Sequence, residues 1–321
     1  MASVLFSSAR AVSMEKTLLG EDRLKRMLDG TADDALKILS EVGFGAGDNV
    51  RDEIDAVSTE ETAKLSAFIK ETAPDEKIAK FFLYPYDFKN AETLIKSKYL
   101  KTETTFAPSG LFEVKDLKER IFADNYGALP KAMATALFNA DKVFVDGTAS
   151  GLYINSLFTK ALYEELFALK LKNPFLVKIL RAKADLVNVS IAFRTRDFAA
   201  AEKQFVLNGE LYPDALKSIC EDDFDKIRDK FRFSCYKDEI FAATDGIEKG
   251  EGLKEFEKAS DGYAVKLVKK HRYDQAGDFP FIRYCFYKLA DIVNARIILI
   301  GLAGGLSAQE ITERLRERYE R

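Results

Sequence analysis

Three stretches of the chain carry one pattern, an Asp followed three places later by an Asn and then by Ala or Val. They are Asp87-Phe88-Lys89-Asn90-Ala91, Asp185-Leu186-Val187-Asn188-Val189 and Asp291-Ile292-Val293-Asn294-Ala295. A separation of three places both polar groups on one face of a helix. In the second and third copies a Pro-Phe pair, Pro174-Phe175 and Pro280-Phe281, stands 11 positions before the Asp, counted from the proline. A glycine with a leucine beside or nearly beside it follows every copy: Gly110-Leu111, Gly209-Glu210-Leu211 and Gly305-Leu306. The copies lie 98 and 106 residues apart, too far for repeats of the roughly 34 to 47 residues typical of TPR or HEAT proteins. Each copy therefore marks a small domain of its own. The expected division is 1–120, which includes an amino-terminal helix, then 121–218 and 219–321. Three such units form either a line or a closed threefold arrangement, and the repeat does not choose between them. Within each pair, the Asp and Asn are expected to fix a neighbouring backbone end or to point together into a shared cavity.

The units are expected to be helical, and the fold class all-α. Seven prolines and 18 glycines are few for 321 residues, which favours long helices over a turn-rich sandwich. Pro174 opens a helix at its first turn, where its missing N–H costs nothing. The apolar stripe of that helix is Phe175, Ile179, Ala182, Leu186, Val189 and Phe193, and its polar stripe is Lys178, Arg181, Asp185, Asn188 and Thr195. Such steps of three and four are the helical period. Ser307 with Glu310 forms a capping box before Ile311 and Leu315, which are expected inside. Charged pairs such as Glu310 with Arg314 and Glu317 with Arg321 are expected on the solvated side of that last helix. Ser58 with Glu61 reads as a second capping box, for a helix that Pro74 closes near residue 72. Gly147 to Leu171 reads as a long helix with Leu152, Leu157, Leu162, Leu166 and Leu169 among its apolar positions. The best β-branched run, Val143 to Val145, has no neighbour to pair with, so a doubly wound α/β fold is not expected.

Catalytic chemistry finds little to work with. His271 is the one histidine, which excludes sites needing two imidazoles, and its setting after Lys269 and Lys270 and before Arg272 reads as a solvated helix end. Cys220, Cys235 and Cys285 include no C-x-x-C pair, so neither zinc binding nor thiol exchange is expected. No G-x-x-x-x-G-K-[ST] loop is present, and Gly43, Gly45 and Gly47 read as a helix terminator. Glu221, Asp222, Asp223 and Asp225 miss the D-D-x-x-D spacing of metal-binding prenyl-transferring enzymes, because position 226 is Lys; they read as a solvated helix start. A net charge of -3 provides no basic footprint for nucleic acid. The longest apolar stretch, Ile297 to Ala308, is too short and too glycine-rich to span a membrane. No enzyme activity and no cofactor are expected.

The segment Pro280 to Tyr319 resembles the carboxy-terminal signature of the C subunit of the bacterial and archaeal V/A-type rotary ATPases, which corresponds to the d subunit of the eukaryotic vacuolar enzyme. That family tends to show K-x-x-E-x-x-N-x-R-x-I, a glycine, a Gly-Leu and an I-x-x-x-L helix. Here those places hold Lys288, Asp291, Asn294, Arg296, Ile298, Gly301, Gly305, Leu306, Ile311 and Leu315. Asp291 stands where glutamate is commoner, one methylene shorter with the same charge. The opening segment with Arg10, Leu18, Leu19, Leu24 and Leu28 is similar to the family's first helix. The resemblance implies three similar helical domains in a funnel-like pseudo-threefold arrangement and no active site. It implies a central-stalk rotor component at the cytoplasmic face of the membrane, socketing the D and F shaft subunits onto the rotor ring (c/K subunits), with the a/I stator membrane subunit as a further neighbour. The polar residues of the repeated helices would line the socket or pin the domains around it. The competing reading is an unrelated all-α scaffold or adaptor, in which the carboxy-terminal likeness is accidental.

Overall fold

A computed structural model describes the chain except Met1, residues 46–49, Glu103, Pro108, Ser109, Glu320 and Arg321, and the side chains of 50–55. Among the described residues every regular element is a helix, as expected. In chain order they are α1 (Val4–Met14), the 3-10 turn η1 (Glu15–Thr17), α2 (Gly20–Leu28), α3 (Ala32–Glu41), α4 (Val50–Thr72), α5 (Glu76–Leu100), α6 (Val114–Phe122), α7 (Lys131–Val145) and α8 (Gly151–Ala168). There follow α9 (Pro174–Thr195), α10 (Phe198–Glu202), α11 (Pro213–Glu221), α12 (Phe224–Phe231), α13 (Lys237–Glu248), α14 (Lys254–Lys270), α15 (Phe279–Ala303) and α16 (Ala308–Arg314).

The chain divides into two compact units. One joins Met1–Ala79 to Glu257–Arg321, and the other is Lys80–Phe256. The core of the first is α15. This helix is buried around nearly its whole circumference, from Phe279 through Tyr287 and on to Leu299, and such a helix must be covered on all sides. It is packed by α1, α2, α3, α4 and α16. Phe68 of α4 stacks on Phe281 at 5.7 Å and meets Tyr284 edge-on at 4.9 Å. Helix α1 approaches closely because it turns its small residues Ser7 and Ala11 inward; the Ser7 hydroxyl donates to the Thr72 carbonyl at 2.5 Å. In the second unit α9 packs against α10 and α11, and α7 forms a hairpin with α8.

Several local expectations hold. Pro174 opens α9 behind an Asn173 cap, Ser307 and Glu310 close a reciprocal capping box, and Ile311 and Leu315 are buried. Gly43 and Gly45 adopt left-handed φ values of 77° and 70° after α3, as a terminator requires; Gly47 lies outside the described residues. Asp223 caps α12 by accepting from the Lys226 N–H, and Val143 to Val145 end α7.

Others need correction. Ser58 is interior to α4, because no breaker separates it from the helix-forming residues before it, and a capping pattern alone cannot start a helix there. The 147–171 helix begins only at Gly151, capped by Ser150, since Gly147 with φ 68° terminates α7. Its buried face is Ile154, Phe158, Ala161, Tyr163 and Leu166, whereas Leu152 is exposed. Glu317 lies beyond the end of α16 and pairs with Lys269 at 2.6 Å; Arg321, its expected partner, lies outside the described residues.

Candidate functional site

The six repeated Asp and Asn side chains are all buried. In α9, Asp185 and Asn188 share the polar stripe with Lys178 and Arg181, yet those two are exposed and Thr195 is half-buried. A buried carboxylate or amide must find hydrogen-bond partners. Each one here finds them in backbone that returns to the helix from elsewhere.

In α5, the Asp87 carboxylate accepts from two successive amides, Leu111 N–H at 2.9 Å and Phe112 N–H at 3.0 Å. One turn on, Asn90 accepts from the Ala107 N–H at 3.0 Å and donates to the Ala107 carbonyl at 2.7 Å. The arrangement recurs in α9. Asp185 accepts from Glu210 N–H and Leu211 N–H, both at 3.0 Å, and Asn188 pairs both ways with Val206 at 2.7 and 2.8 Å. These clasps explain the glycines. A Cβ on Gly110 would lie 1.9 Å from Asp87 Oδ1, and one on Gly209 would lie 2.1 Å from Asp185 Oδ1, so any larger residue would displace the carboxylate.

The third clasp is built differently. Asp291 of α15 accepts at Oδ2 from the Leu19 N–H at 2.7 Å, while Asn294 accepts from the Arg316 N–H at 2.8 Å. The segment that should follow the third helix is therefore supplied by the other end of the chain. Helix α2 starts directly after Leu19, as α6 starts after the loop held by Asp87 and α11 after the loop held by Asp185. Gly305-Leu306, which follows the third copy in sequence, is not held by Asp291 but terminates α15: Gly305 has φ 73° and the Leu306 N–H donates to the Gly301 carbonyl at 2.9 Å. Gly301 is where α16 crosses α15, and a Cβ there would lie 2.6 Å from Ile311 Cγ1.

Two tyrosines complete the clasps, and no local spacing points to them. Tyr236 donates its hydroxyl to Asp185 Oδ2 and Tyr319 donates to Asp291 Oδ2, each at 2.7 Å. Tyr319 also stacks on Tyr287 with ring centroids 3.7 Å apart. Burial pushes the Asp185 carboxyl above its usual range, outweighing the bonds from Leu211, Tyr236 and Glu210. Burial raises Asp291 as well, to about 6, against the opposing effects of Tyr319, Leu19 and Lys288. The Tyr319 hydroxyl is itself raised by burial and by the Asp291 charge.

Lys288, one turn before Asp291, is buried too. Its ammonium is 2.6 Å from Glu61 Oε2 and sits 3.5 Å over the Phe44 ring. Glu61 also accepts from Lys64 at 2.8 Å and from the Gly45 N–H at 3.2 Å. Burial disfavours its charge, but Lys288 and Lys64 prevail and hold the carboxyl below its usual range. Glu61 is the acidic half of the Ser58 capping pattern, and nothing in that pattern identifies Lys288 as its partner. Arg296 is exposed, unlike the Asp291 and Asn294 it accompanies in sequence. No helix among the described residues is long and apolar enough to cross a membrane. Chemically, the three clasps immobilise backbone around buried carboxylates; at Asp291 both bonds fall on Oδ2, and Oδ1 is buried without a hydrogen-bond partner among the described residues.

The family model described as ATP synthase (C/AC39) subunit matches residues 7–314. The chain is 24% identical over 254 residues to the C subunit of the A-type ATP synthase of Halorubrum lacusprofundi, covering 73% of this chain and 72% of that one. It is 20% identical to the C subunit of the V-type sodium ATPase of Enterococcus hirae, across 95% of this chain and 96% of the relative. It is 25% identical to the C subunit of the A-type ATP synthase of Methanocaldococcus jannaschii, across 97% and 86%.

Proposed function

The chain belongs to the ATP synthase (C/AC39) subunit family, and from that membership we propose that it is the non-catalytic rotor component that seats the central shaft on the membrane ring of a V/A-type rotary ATPase. The observation that carries this reading is the family match over residues 7–314, which extends far beyond the carboxy-terminal signature and so argues against a chance likeness. The partners are the D and F shaft subunits on one side and the rotor ring on the other, at the cytoplasmic face of the membrane, with the stator membrane subunit nearby.

A part that transmits torque must not yield between its input and output surfaces. Close-packed interiors transmit strain, and buried polar networks with every partner in place rigidify a core. The Asp-Asn clasps of α5 and α9 supply such networks, and that of α15 ties Leu19 to Asp291, although Asp291 Oδ1 is buried without a hydrogen-bond partner among the described residues; the three proposed units, 1–120, 121–218 and 219–321, would be arranged as a funnel about a pseudo-threefold axis. Asp87, Asn90, Asp185, Asn188, Asp291 and Asn294 are in this reading pins, and Lys288 with Glu61 is a fourth pin beside the third clasp. Hydrolysis in the catalytic head would turn shaft, adapter and ring together, and ion flow through the ring would drive the reverse.

The test is co-purification of the full chain with D and F and with detergent-solubilised ring. Stable complexes with both are expected. Failure to bind either overturns the reading.

A further inference from the structure

The second clasp fixes the loop that follows α10 at two places. Asn188 pairs both ways with Val206, at 2.7 and 2.8 Å, and Asp185 accepts from the Glu210 and Leu211 N–H groups, both at 3.0 Å. Between those anchors stand Leu207, Asn208 and Gly209. Leu207 is 75% exposed, and Asn208 is exposed as well. Asn208 holds a left-handed φ of 69°, a conformation that asparagine tolerates better than most residues with a side chain. Gly209 is imposed by packing, because a Cβ there would lie 2.1 Å from Asp185 Oδ1. The clasp thus requires a glycine directly after an exposed asparagine, and Asn208-Gly209 is the one Asn-Gly pair in the chain.

An asparagine followed by glycine carries an intrinsic reactivity. The backbone nitrogen of the glycine attacks the side-chain carboxamide carbon of the asparagine, and no Cβ hinders its approach. A C–N bond forms, the carboxamide nitrogen leaves as ammonia with the proton of the glycine N–H, and a five-membered succinimide results. Water, the only co-reactant, then opens the ring at one of its two bonds to nitrogen. Breaking the new bond gives aspartate. Breaking the original peptide bond gives isoaspartate, whose main chain runs through the former side chain and is one methylene longer. Ring closure requires Asn208 to rotate about its Cα–C bond out of the left-handed well, bringing the Gly209 nitrogen over its own side chain. A loop pinned at Val206 and Glu210 resists that rotation, the more so because the Tyr236 hydroxyl holds Asp185 in place at 2.7 Å.

We propose that Asn208 is a self-modification site of this chain, closed to reaction while the second clasp holds and converted to aspartate or isoaspartate when the clasp opens. Local openings of a native protein cost less than global unfolding, and chemistry on an opened state that recloses quickly proceeds in proportion to its population. The conversion is one-way. The extra methylene of isoaspartate falls between the two anchors, so Val206 and Glu210 no longer meet Asn188 and Asp185 together, and the new carboxylate stands two positions from Glu210. A transient opening of the clasp is thereby made permanent, and the loop that leads into α11 is released.

The full chain is aged at mildly alkaline pH, both native and unfolded in urea, and conversion of the Asn208 amide to an acid is followed by peptide mass spectrometry, with the isoaspartyl and aspartyl peptides separated by chromatography. The native chain is expected to convert at least roughly tenfold more slowly than the unfolded one, since opening forfeits several hydrogen bonds, including those to a carboxylate. Tyr236→Phe, which removes one donor to Asp185, should raise the native rate severalfold and leave the rate in urea unchanged. Aged wild type should unfold at a lower urea midpoint in proportion to its isoaspartate content. Asn208→Gly, which accepts the left-handed conformation and carries no amide to react, should keep its midpoint through the same ageing. Equal rates in the native and unfolded chains overturn the proposal. So does a native rate that Tyr236→Phe leaves unchanged, or modified wild type that unfolds at the midpoint of the fresh protein.

Discussion

Leu19 donates its backbone N–H to the Asp291 carboxylate at 2.7 Å, across 272 positions of sequence. The Tyr319 hydroxyl reaches the same oxygen at 2.7 Å, and the Glu21 N–H donates to the Tyr319 carbonyl at 3.1 Å. Both ends of the chain thus converge on one buried carboxylate. The other two clasps are closed by loops 24 to 26 residues downstream of their Asp.

Asp291 should make stability depend on pH in an unusual direction. Its pKa is raised from 3.8 to about 6 by burial, so between those values the folded chain binds more protons than the unfolded one. Its contribution therefore falls as pH rises from about 4 to about 6, by about 3 kcal/mol in total, and stays at that lower level above. Urea titrations of wild type and Asp291→Asn across this range should show the slope removed in the variant; parallel curves would contradict the assignment.

The glycines of the clasps should be intolerant. Gly110→Ala and Gly209→Ala place a methyl 1.9 and 2.1 Å from a clasp carboxylate oxygen, and each is expected to cost about 2 to 4 kcal/mol. Gly127→Ala, with nothing within 4 Å of the added Cβ, should be nearly neutral. Denaturant midpoints of the three variants decide the matter.

Breaking the buried Lys288–Glu61 pair from one side should be worse than removing it whole. Glu61→Leu alone leaves the buried Lys288 ammonium without its carboxylate and should cost about 3 to 5 kcal/mol, whereas Lys288→Met leaves Glu61 its Lys64 partner at 2.8 Å and should cost less. The double variant should recover a large part of that loss, which a double-mutant cycle measures; additive losses would mean that the two charges act independently.

Tyr319→Phe removes one bond to Asp291 and keeps the stack on Tyr287. It should destabilise by about 1 to 2 kcal/mol, whereas Tyr319→Ala, losing the stack as well, should cost clearly more. If the rings contribute nothing, the two variants will unfold together.

Alanine at each of Asp87, Asn90, Asp185, Asn188, Asp291 and Asn294 should lower stability, and in the assembled enzyme should weaken the coupling of ATP hydrolysis to ion pumping. Six variants with full coupling and unchanged unfolding would refute a pinning role.

Much of the helical content was legible because it is written in local rules. Pro174 after Asn173, the Ser307–Glu310 box and the left-handed glycines after α3 each act within a turn of their own position. The Ser58 boundary misled because a start signal has force only where the preceding residues are not already helical, and the Gly147 boundary because that glycine ends α7 and Ser150 caps the next helix. The shared face of each Asp-Asn pair was legible too, from a spacing of three. Its burial was not, since Lys178 and Arg181 lie on the same stripe and only the returning loop distinguishes them from Asp185.

By itself the sequence determined the all-helical class, the threefold recurrence of the Asp-Asn helix and the glycines that must follow its first two copies, because helix period, capping and spacing are properties of neighbours along the chain. Only the tertiary structure decided what each carboxylate holds. A buried Asp needs N–H groups but does not specify where in the chain they come from. For Asp87 and Asp185 the nearest downstream loop supplies them, and for Asp291 the amino-terminal segment does, with Tyr319 adding its hydroxyl. That choice is made by packing, as α1 and α2 cover an α15 too apolar to leave exposed.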